Sequence, residues 1–355
     1  MSSAGSIRSS QAELLFNAPR SKGRISTGVA HVRAPYRKAV VRCRNRILFA
    51  PHETGLLDSG VVNELRLRND DGRAIHIKEI LKLEAGDPVK IGILGGERGI
   101  GTVTHVSDSG VNVEFPTESR EAPMDKLKID LLLALPRPKV VNRLWPILSS
   151  LGIRSIYVSG AEKVEKAYWG AKCLHHEKIL EEMVSGLEQA GDTVPPTVVS
   201  CRRLKKLLAW LQDEVDPRDE ALKPGTADGD GIFVPKELVR GCLPASLGSG
   251  DRGKPLAVLR NEQQLRLVAH PGESAVSIRE AVGAHMESNE GDHDSCSVLL
   301  AVGPEGGWTD PEVELLRSTG FVHVSLGSRP LTTSTAAVAL ISIVGDTLQF
   351  PAKPR

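Results

Sequence analysis

The chain has 355 residues, 40% of them hydrophobic, which supplies apolar material for two packed domains and excludes global disorder. No run approaches the roughly 20 apolar residues that a membrane-spanning helix needs. Net charge is +1, but residues 1–46 hold ten Lys/Arg and one acid, Glu13, leaving 35 basic and 43 acidic residues, net −8, in the remainder. An acidic body excludes nucleic-acid binding driven by the global field, so any such contact must rely on local basic patches.

Residues 1–43 are rich in Ser, Ala and Arg and nearly free of acids. This composition predicts an organelle transit peptide, with the Val41-Arg42-Cys43 context pointing to a plastid over a mitochondrion. A disordered basic RNA-binding arm is the alternative, which would leave the protein in the cytoplasm. The five cysteines (Cys43, Cys173, Cys201, Cys242, Cys296) are scattered without a C-x-x-C pair. That fits a reducing compartment and argues against a disulfide framework or a zinc site.

From 44 to 125 short strands alternate with turns. "DPVKIGIL", "GIGTVTHVS" and "VNVEFP" read as strands, separated by "GGER" and "DSG". Gly92, Gly95, Gly96, Gly99 and Gly101 do not form G-x-G-x-x-G and are expected in hairpin turns.

From 126 to 350 strands alternate with helices, which predicts a mostly parallel sheet covered on both faces. "KIDLLLALP" reads as a buried strand. In "PKVVNRLWPILSSLG" the residues Val140, Val141, Leu144, Ile147, Leu148 and Leu151 share a helical face, and Pro146 is expected to kink it. "RSIYVSG" is a strand. "HHEKILEEMVSGLEQAG" is a helix with Ile179, Leu180, Met183, Val184 and Leu187 inward. "TVVSC" and "RRLKKLLAWLQDEV" continue the alternation. Residues 214–256, rich in Gly, Pro, Asp and Ser, read as a surface insertion. "QQLRLVAHPGES" restores a strand ending near Ala269. In the acidic loop 287–295, His293 lies between two aspartates without a second ligand cluster, so a solvated turn is expected there.

The last stretch carries the chemistry. In "LLAVGPEGGWTDPEVELL" (299–316) a short aliphatic strand runs into Gly303-Pro304-Glu305-Gly306-Gly307, and Thr309 with Glu312 forms a capping box that starts a helix. Ligands of open α/β sheets collect at such turns. Three strand ends, at Ala269-His270, at Gly303–Gly307 and at Leu326-Gly327, are expected to meet in one backbone-lined pocket. The turn has no Lys-Ser/Thr for a phosphate loop, and Glu305 disfavours phosphate but tolerates a cationic ligand such as S-adenosylmethionine.

The run "LLAVGPEGGWTDPEVELLRSTGFVHVSLGSRPLTTSTAAVALI" resembles the carboxyl signature of the small-subunit ribosomal RNA uracil-N3 methyltransferases (RsmE type) of the SPOUT superfamily. "LPRPKVVNRLWPILSSLGIRSIYVSGAEKVEKAYW" and "LEQAGDTVPPTV" resemble a subgroup of that family. The segment "RNRILFA…IHIKEILKLEAGDPVKIGILGGERGIGTVTHV" is similar to its PUA-like β-barrel. The resemblance implies a barrel that docks ribosomal RNA, an α/β domain with a deep trefoil knot, a homodimer, and S-adenosylmethionine held without a metal. On it, Ala269, His270, Gly303, Pro304, Glu305, Gly306, Gly307, Leu326, Gly327, Leu331 and Thr332 would hold the cofactor. Arg329 would stabilise the uracil anion or contact RNA phosphate, with a loop-anchoring salt bridge as its structural alternative. Arg46, Arg137, Lys139 and Arg143 are candidate RNA contacts, as are Arg202, Arg203, Lys205 and Lys206.

One departure stands out. Where the family has R-x-E-T-A, this chain has Thr332-Thr333-Ser334-Thr335-Ala336, so a cation and an anion are both absent. Losing both partners of a pair is nearly neutral, whereas losing one strands a charge. The substitutions leave two alternatives to an active uracil-N3 enzyme: a catalytically silent relative that binds RNA in ribosome assembly, or a methyltransferase for another RNA.

Overall fold

The computed structural model describes residues 46–54, 64–211, 231–233, 264–272, 275–288 and 296–350. Residues 1–43, where a transit peptide is expected, the loop containing His293 and most of 214–256 lie outside the described residues.

The amino-terminal unit is a six-stranded sheet. Its strands are β1 (Ile47–Phe49), β2 (Glu64–Arg68), β3 (Pro88–Ile93), β4 (Arg98–Ser107), β5 (Gly110–Glu114) and β6 (Arg120–Glu121). The order is β1-β3-β4-β5-β2, with β6 pairing β4; β1 runs parallel to β3 and the other pairs are antiparallel. Alternation buries Leu65, Leu67, Ile91, Val103, Val111, Val113 and Phe115 in one cluster. A short helix, α1 (Gly72–Ile75), continues as a wider turn over His76–Ile80. The expected hairpin glycines divide. Gly95, at φ +74°, occupies the β3–β4 turn with Gly96. Gly92, Gly99 and Gly101 instead sit inside β3 and β4. There a Cβ would collide with the Thr193 side chain, the Ser119 carbonyl and the Glu114 carbonyl respectively. Close chain approach, not turning, requires those three glycines.

The second unit begins at β7 (Leu127–Ala134) and continues through α2 (Pro138–Ser150), β8 (Ile153–Ser159), α3 (His176–Ala190), β9 (Thr197–Cys201) and α4 (Leu204–Leu211). After β10 (Gly231–Phe233) come β11 (Gln264–Ala269), β12 (Val276–Ser277), α5 (Ile278–Ser288), β13 (Ser297–Val302), α6 (Asp310–Ser318), β14 (Phe321–Ser325) and α7 (Thr333–Gln349). The sheet order is β10-β9-β8-β7-β13-β11-β14-β12, parallel throughout except for β10, which pairs antiparallel with β9. Residues 231–233, expected in a surface insertion, thus add an edge strand. One sheet face packs against Leu144, Leu148, Met183, Val282 and Leu340 of α2, α3, α5 and α7. The other packs against Leu207, Leu208, Val313 and Leu316 of α4 and α6.

Two helix faces differ from the periodicity. In α2, Trp145 is fully buried while Ile147 is 39% exposed. The Trp145 indole N–H donates to the Cys173 carbonyl at 2.9 Å, and that bond turns the stripe toward Trp145. In α3, Ile179 and Met183 are buried in the sheet core, whereas Leu187, also buried, clusters with Leu48 and Leu94 of the amino-terminal unit, with Leu180 and Val184 packed beside them. The helix therefore serves two cores.

Arg46, expected on an RNA-facing surface, is instead 9% exposed between the two units. Its Nε donates to the Gly191 carbonyl at 2.9 Å, and its Nη1 donates to the Ile91 and Gly99 carbonyls. Its backbone N–H reaches the Glu188 carbonyl at 3.1 Å. The guanidinium acts as a clamp because its fixed fork meets three converging carbonyls. Thr193 strengthens the junction: its hydroxyl donates to Gly96 O at 2.6 Å and its carbonyl accepts from Gly95 N at 2.7 Å.

Candidate functional site

β13 is buried along its whole length and stops at Gly303 because the chain must turn out of the sheet. Gly307, at φ +69°, closes the turn by donating to Pro304 O at 2.8 Å; this left-handed conformation favours glycine. The capping box follows, with the Thr309 N–H donating to Glu312 Oε2 at 2.9 Å.

Side chains and backbone from elsewhere hold the turn. Glu305 Oε1 accepts the Arg137 backbone N–H at 2.9 Å, joining the turn to the start of α2. Lys163 Nζ donates to Gly306 O at 2.8 Å, and Glu312 Oε1 accepts the Glu162 N–H at 2.7 Å. The ends of β7 and β8 thereby brace the loop after β13.

A cavity of about 350 Å³ opens at this edge. Its wall brings together the three expected strand ends. Ala269 and His270 come from β11; Gly303, Pro304, Glu305, Gly306 and Gly307 come from the turn; Leu326, Gly327, Arg329 and Leu331 follow β14. Sequence reasoning missed Val302, Trp308, Thr333, Ala336 and Leu340, which also line it. The apolar face of α7 was legible, but only as core. Trp308 is 2% exposed, and its indole nitrogen is buried with no hydrogen-bond partner among the described residues.

Thr332 is not part of that wall. It caps α7: its hydroxyl accepts from Thr335 N at 3.3 Å and shares hydrogen bonds with Ser334 Oγ at 3.2 Å and Thr335 Oγ1 at 2.9 Å. The hydroxyl set at the departed motif leaves no stranded charge. Arg329 is exposed at the rim and makes no salt bridge among the described residues.

The loop after β11 is held from both sides. His270 N donates to Val324 O at 3.1 Å, and the His270 carbonyl lies 2.6 Å from His323 Nε2. A carbonyl only accepts, so His323 carries a proton on Nε2. Burial pushes the His270 imidazole below its usual value; nearby His323 and Lys163 act in the same direction, and Asp310 opposes them.

Arg137, just before α2, and Lys139 and Arg143 on it are exposed; Arg202 and Arg203, just before α4, and Lys205 on it are exposed, with Lys206 partly covered. Arg202 stands over the Trp169 ring at 5.7 Å. Among the described residues no group of three or more His, Cys, Asp and Glu is placed to hold a metal, and no helix is long and apolar enough to cross a membrane.

Comparison with known proteins places this geometry. A relative in Treponema pallidum, ribosomal RNA small subunit methyltransferase E, is 27% identical over 274 residues, covering 77% of this chain and 82% of its own length. A Borreliella burgdorferi protein, ribosomal RNA small subunit methyltransferase E 1, is 23% identical over 280 residues, covering 79% and 92%. Among solved structures, the Neisseria gonorrhoeae ribosomal RNA small subunit methyltransferase E bound to S-adenosyl methionine superposes with a TM-score of 0.52 at 16% identity, over 86% of this chain and 98% of that one. A Legionella pneumophila protein with bound S-adenosylmethionine gives 0.52 at 19% identity, over 85% and 97%. At these identities the structures show a shared fold. The RNA methyltransferase domain model matches residues 123–222 and 254–345, more than half of the sequence and including every strand end that walls the cavity, so this chain belongs to the RNA methyltransferase domain family.

Proposed function

We propose that this protein transfers a methyl group from S-adenosylmethionine to uracil N3 in small-subunit ribosomal RNA. The observation that carries the reading is the convergence of three strand ends on one cavity inside the family-matched residues. The residues fit the cofactor. The cavity has the volume of a small-molecule site, and its wall offers backbone groups, apolar side chains and a buried indole N–H with no partner among the described residues. Gly303–Gly307, Ala269, Leu326, Gly327 and Leu331 would hold it. When bound, the sulfonium supplies an activated methyl carbon.

The chain's own residues do the rest. Bracing by Arg137, Lys163 and Glu162 keeps the turn in one conformation, which lowers the cost of aligning reactants. Arg329, at the rim, stabilises negative charge developing on the base. Arg137, Lys139 and Arg143 and the amino-terminal sheet, read as a PUA-like barrel, provide the RNA surface. The order β13-β11-β14 supports the trefoil crossing implied by the resemblance. Leu331, 43% exposed beside α7, supports a second copy against this edge. Residues 1–43 support import into a plastid; a reporter fused to them would be cytosolic if that is wrong. The hydroxyl cap at Thr332 leaves the helix start satisfied, so the motif change by itself gives no structural reason for a silent relative.

The test incubates the purified chain with labelled S-adenosylmethionine and undermodified small subunits, then maps the product by mass. Label at uracil N3 is expected. Label in transfer RNA or the large subunit, or no label, overturns the reading.

A further inference from the structure

We propose that His270 is the general base that takes the N3 proton of the target uracil. This rests on the uracil-methylation reading and gives His270 a proton-transfer role in place of the cofactor-holding role that the resemblance implies. Three side chains on the cavity wall titrate: His270, Glu305 and Arg329. Arg329 stays protonated and cannot accept. Glu305 is held toward α2 by the Arg137 N–H. His270 remains, half-buried at the mouth, with its backbone clamped by Val324 and His323 so that only its ring can turn. The His323 ring centroid lies 5.7 Å away.

The groups facing His270 are His323 from β14, Asp310 from α6 and Lys163 from the loop after β8. Two of them and burial disfavour a charged imidazole, so the ring is neutral and can accept at neutral pH. Uracil N3 carries its proton at that pH and cannot attack until it is removed. In the step, the N3–H bond breaks and its proton passes to the imidazole. The electron pair left on N3 forms the N–CH3 bond, the S–CH3 pair returns to sulfur, and the imidazolium then gives its proton to solvent.

The experiment uses the full chain and two variants, His270→Gln and His270→Asn. Calorimetry with S-adenosylmethionine is expected to give affinities within about threefold of wild type, while kcat falls about 100-fold or more. The wild-type kcat/KM profile is expected to lose activity on its acid side, and that limb is absent from the variants. Independently of how the variants fold, NMR titration of the wild-type His270 ring should give a pKa below the usual 6.5 that coincides with the limb. A variant with wild-type kcat, loss of cofactor binding in both variants, or a ring pKa that does not match the limb overturns the assignment. Wild-type protein that methylates no uracil N3 at any pH sinks the functional reading itself, a distinct result.

Discussion

The Glu305 carboxylate accepts the Arg137 backbone N–H at 2.9 Å across 168 residues of sequence, fixing the glycine turn to the first turn of α2. A charge-assisted bond of this kind is stronger than a neutral one. Glu305→Ala should weaken S-adenosylmethionine binding about fivefold to tenfold, whereas Glu305→Gln, which keeps an acceptor oxygen, recovers most of it. Calorimetry on both variants checks this; equal affinities for Ala and wild type would remove the brace from the argument.

The two glycines at the turn should respond differently. Gly307 sits at φ +69°, where a β-branched residue is strained, so Gly307→Val should lower cofactor affinity more than about tenfold. A side chain at 306 meets the Lys163 stem, with Cδ at 2.8 Å, a flexible chain that can swing aside. Gly306→Ala should therefore cost less. A Gly306→Ala loss as large as that of Gly307→Val would contradict the packing.

Arg46→Ala leaves the Ile91 and Gly99 carbonyls without their donor in a buried junction. A loss of about 3 kcal/mol in unfolding free energy is expected, and Arg46→Lys should not restore it because an ammonium lacks the guanidinium fork. Denaturant unfolding measures the loss. RNA affinity of the folded variant should keep its wild-type salt dependence; a shallower slope would return Arg46 to the RNA surface.

Asp130, fully buried on β7, is paired with Arg154 Nη2 at 2.6 Å and accepts from Gln264 Nε2 at 2.8 Å. Burial raises its carboxyl pKa in spite of Arg154 and these hydrogen bonds. A folded pKa above the unfolded one means that the folded state holds the proton more tightly. This group's contribution therefore favours folding at low pH and is lost as pH rises through the folded value. Arg154→Met removes a partner that lowers the pKa, so the carboxyl should shift further up. The variant should be about 3–5 kcal/mol less stable near neutral pH. That deficit should shrink on acidification toward about pH 5. Urea unfolding at the two pH values decides it, and a deficit that grows on acidification would refute the sign.

Much of this molecule was legible in its sequence because much of it is local. The aliphatic run before Gly303, the Thr309–Glu312 capping box and the helical stripes of α2 and α3 each depend on residues within a few positions. Spacing alone therefore specifies strand, turn and helix. Tertiary structure decided what depends on distant partners. It inserted β11 between β13 and β14, which carries His270 to the glycine turn, and it added Gly231–Phe233 to the sheet edge. It also turned Arg46 from an exposed cation into a clamp and took Thr332 off the cavity wall to cap α7. A side chain's type and neighbours limit which bonds it can make, but which carbonyl or carboxylate meets it across more than a hundred residues is set only when the sheet assembles.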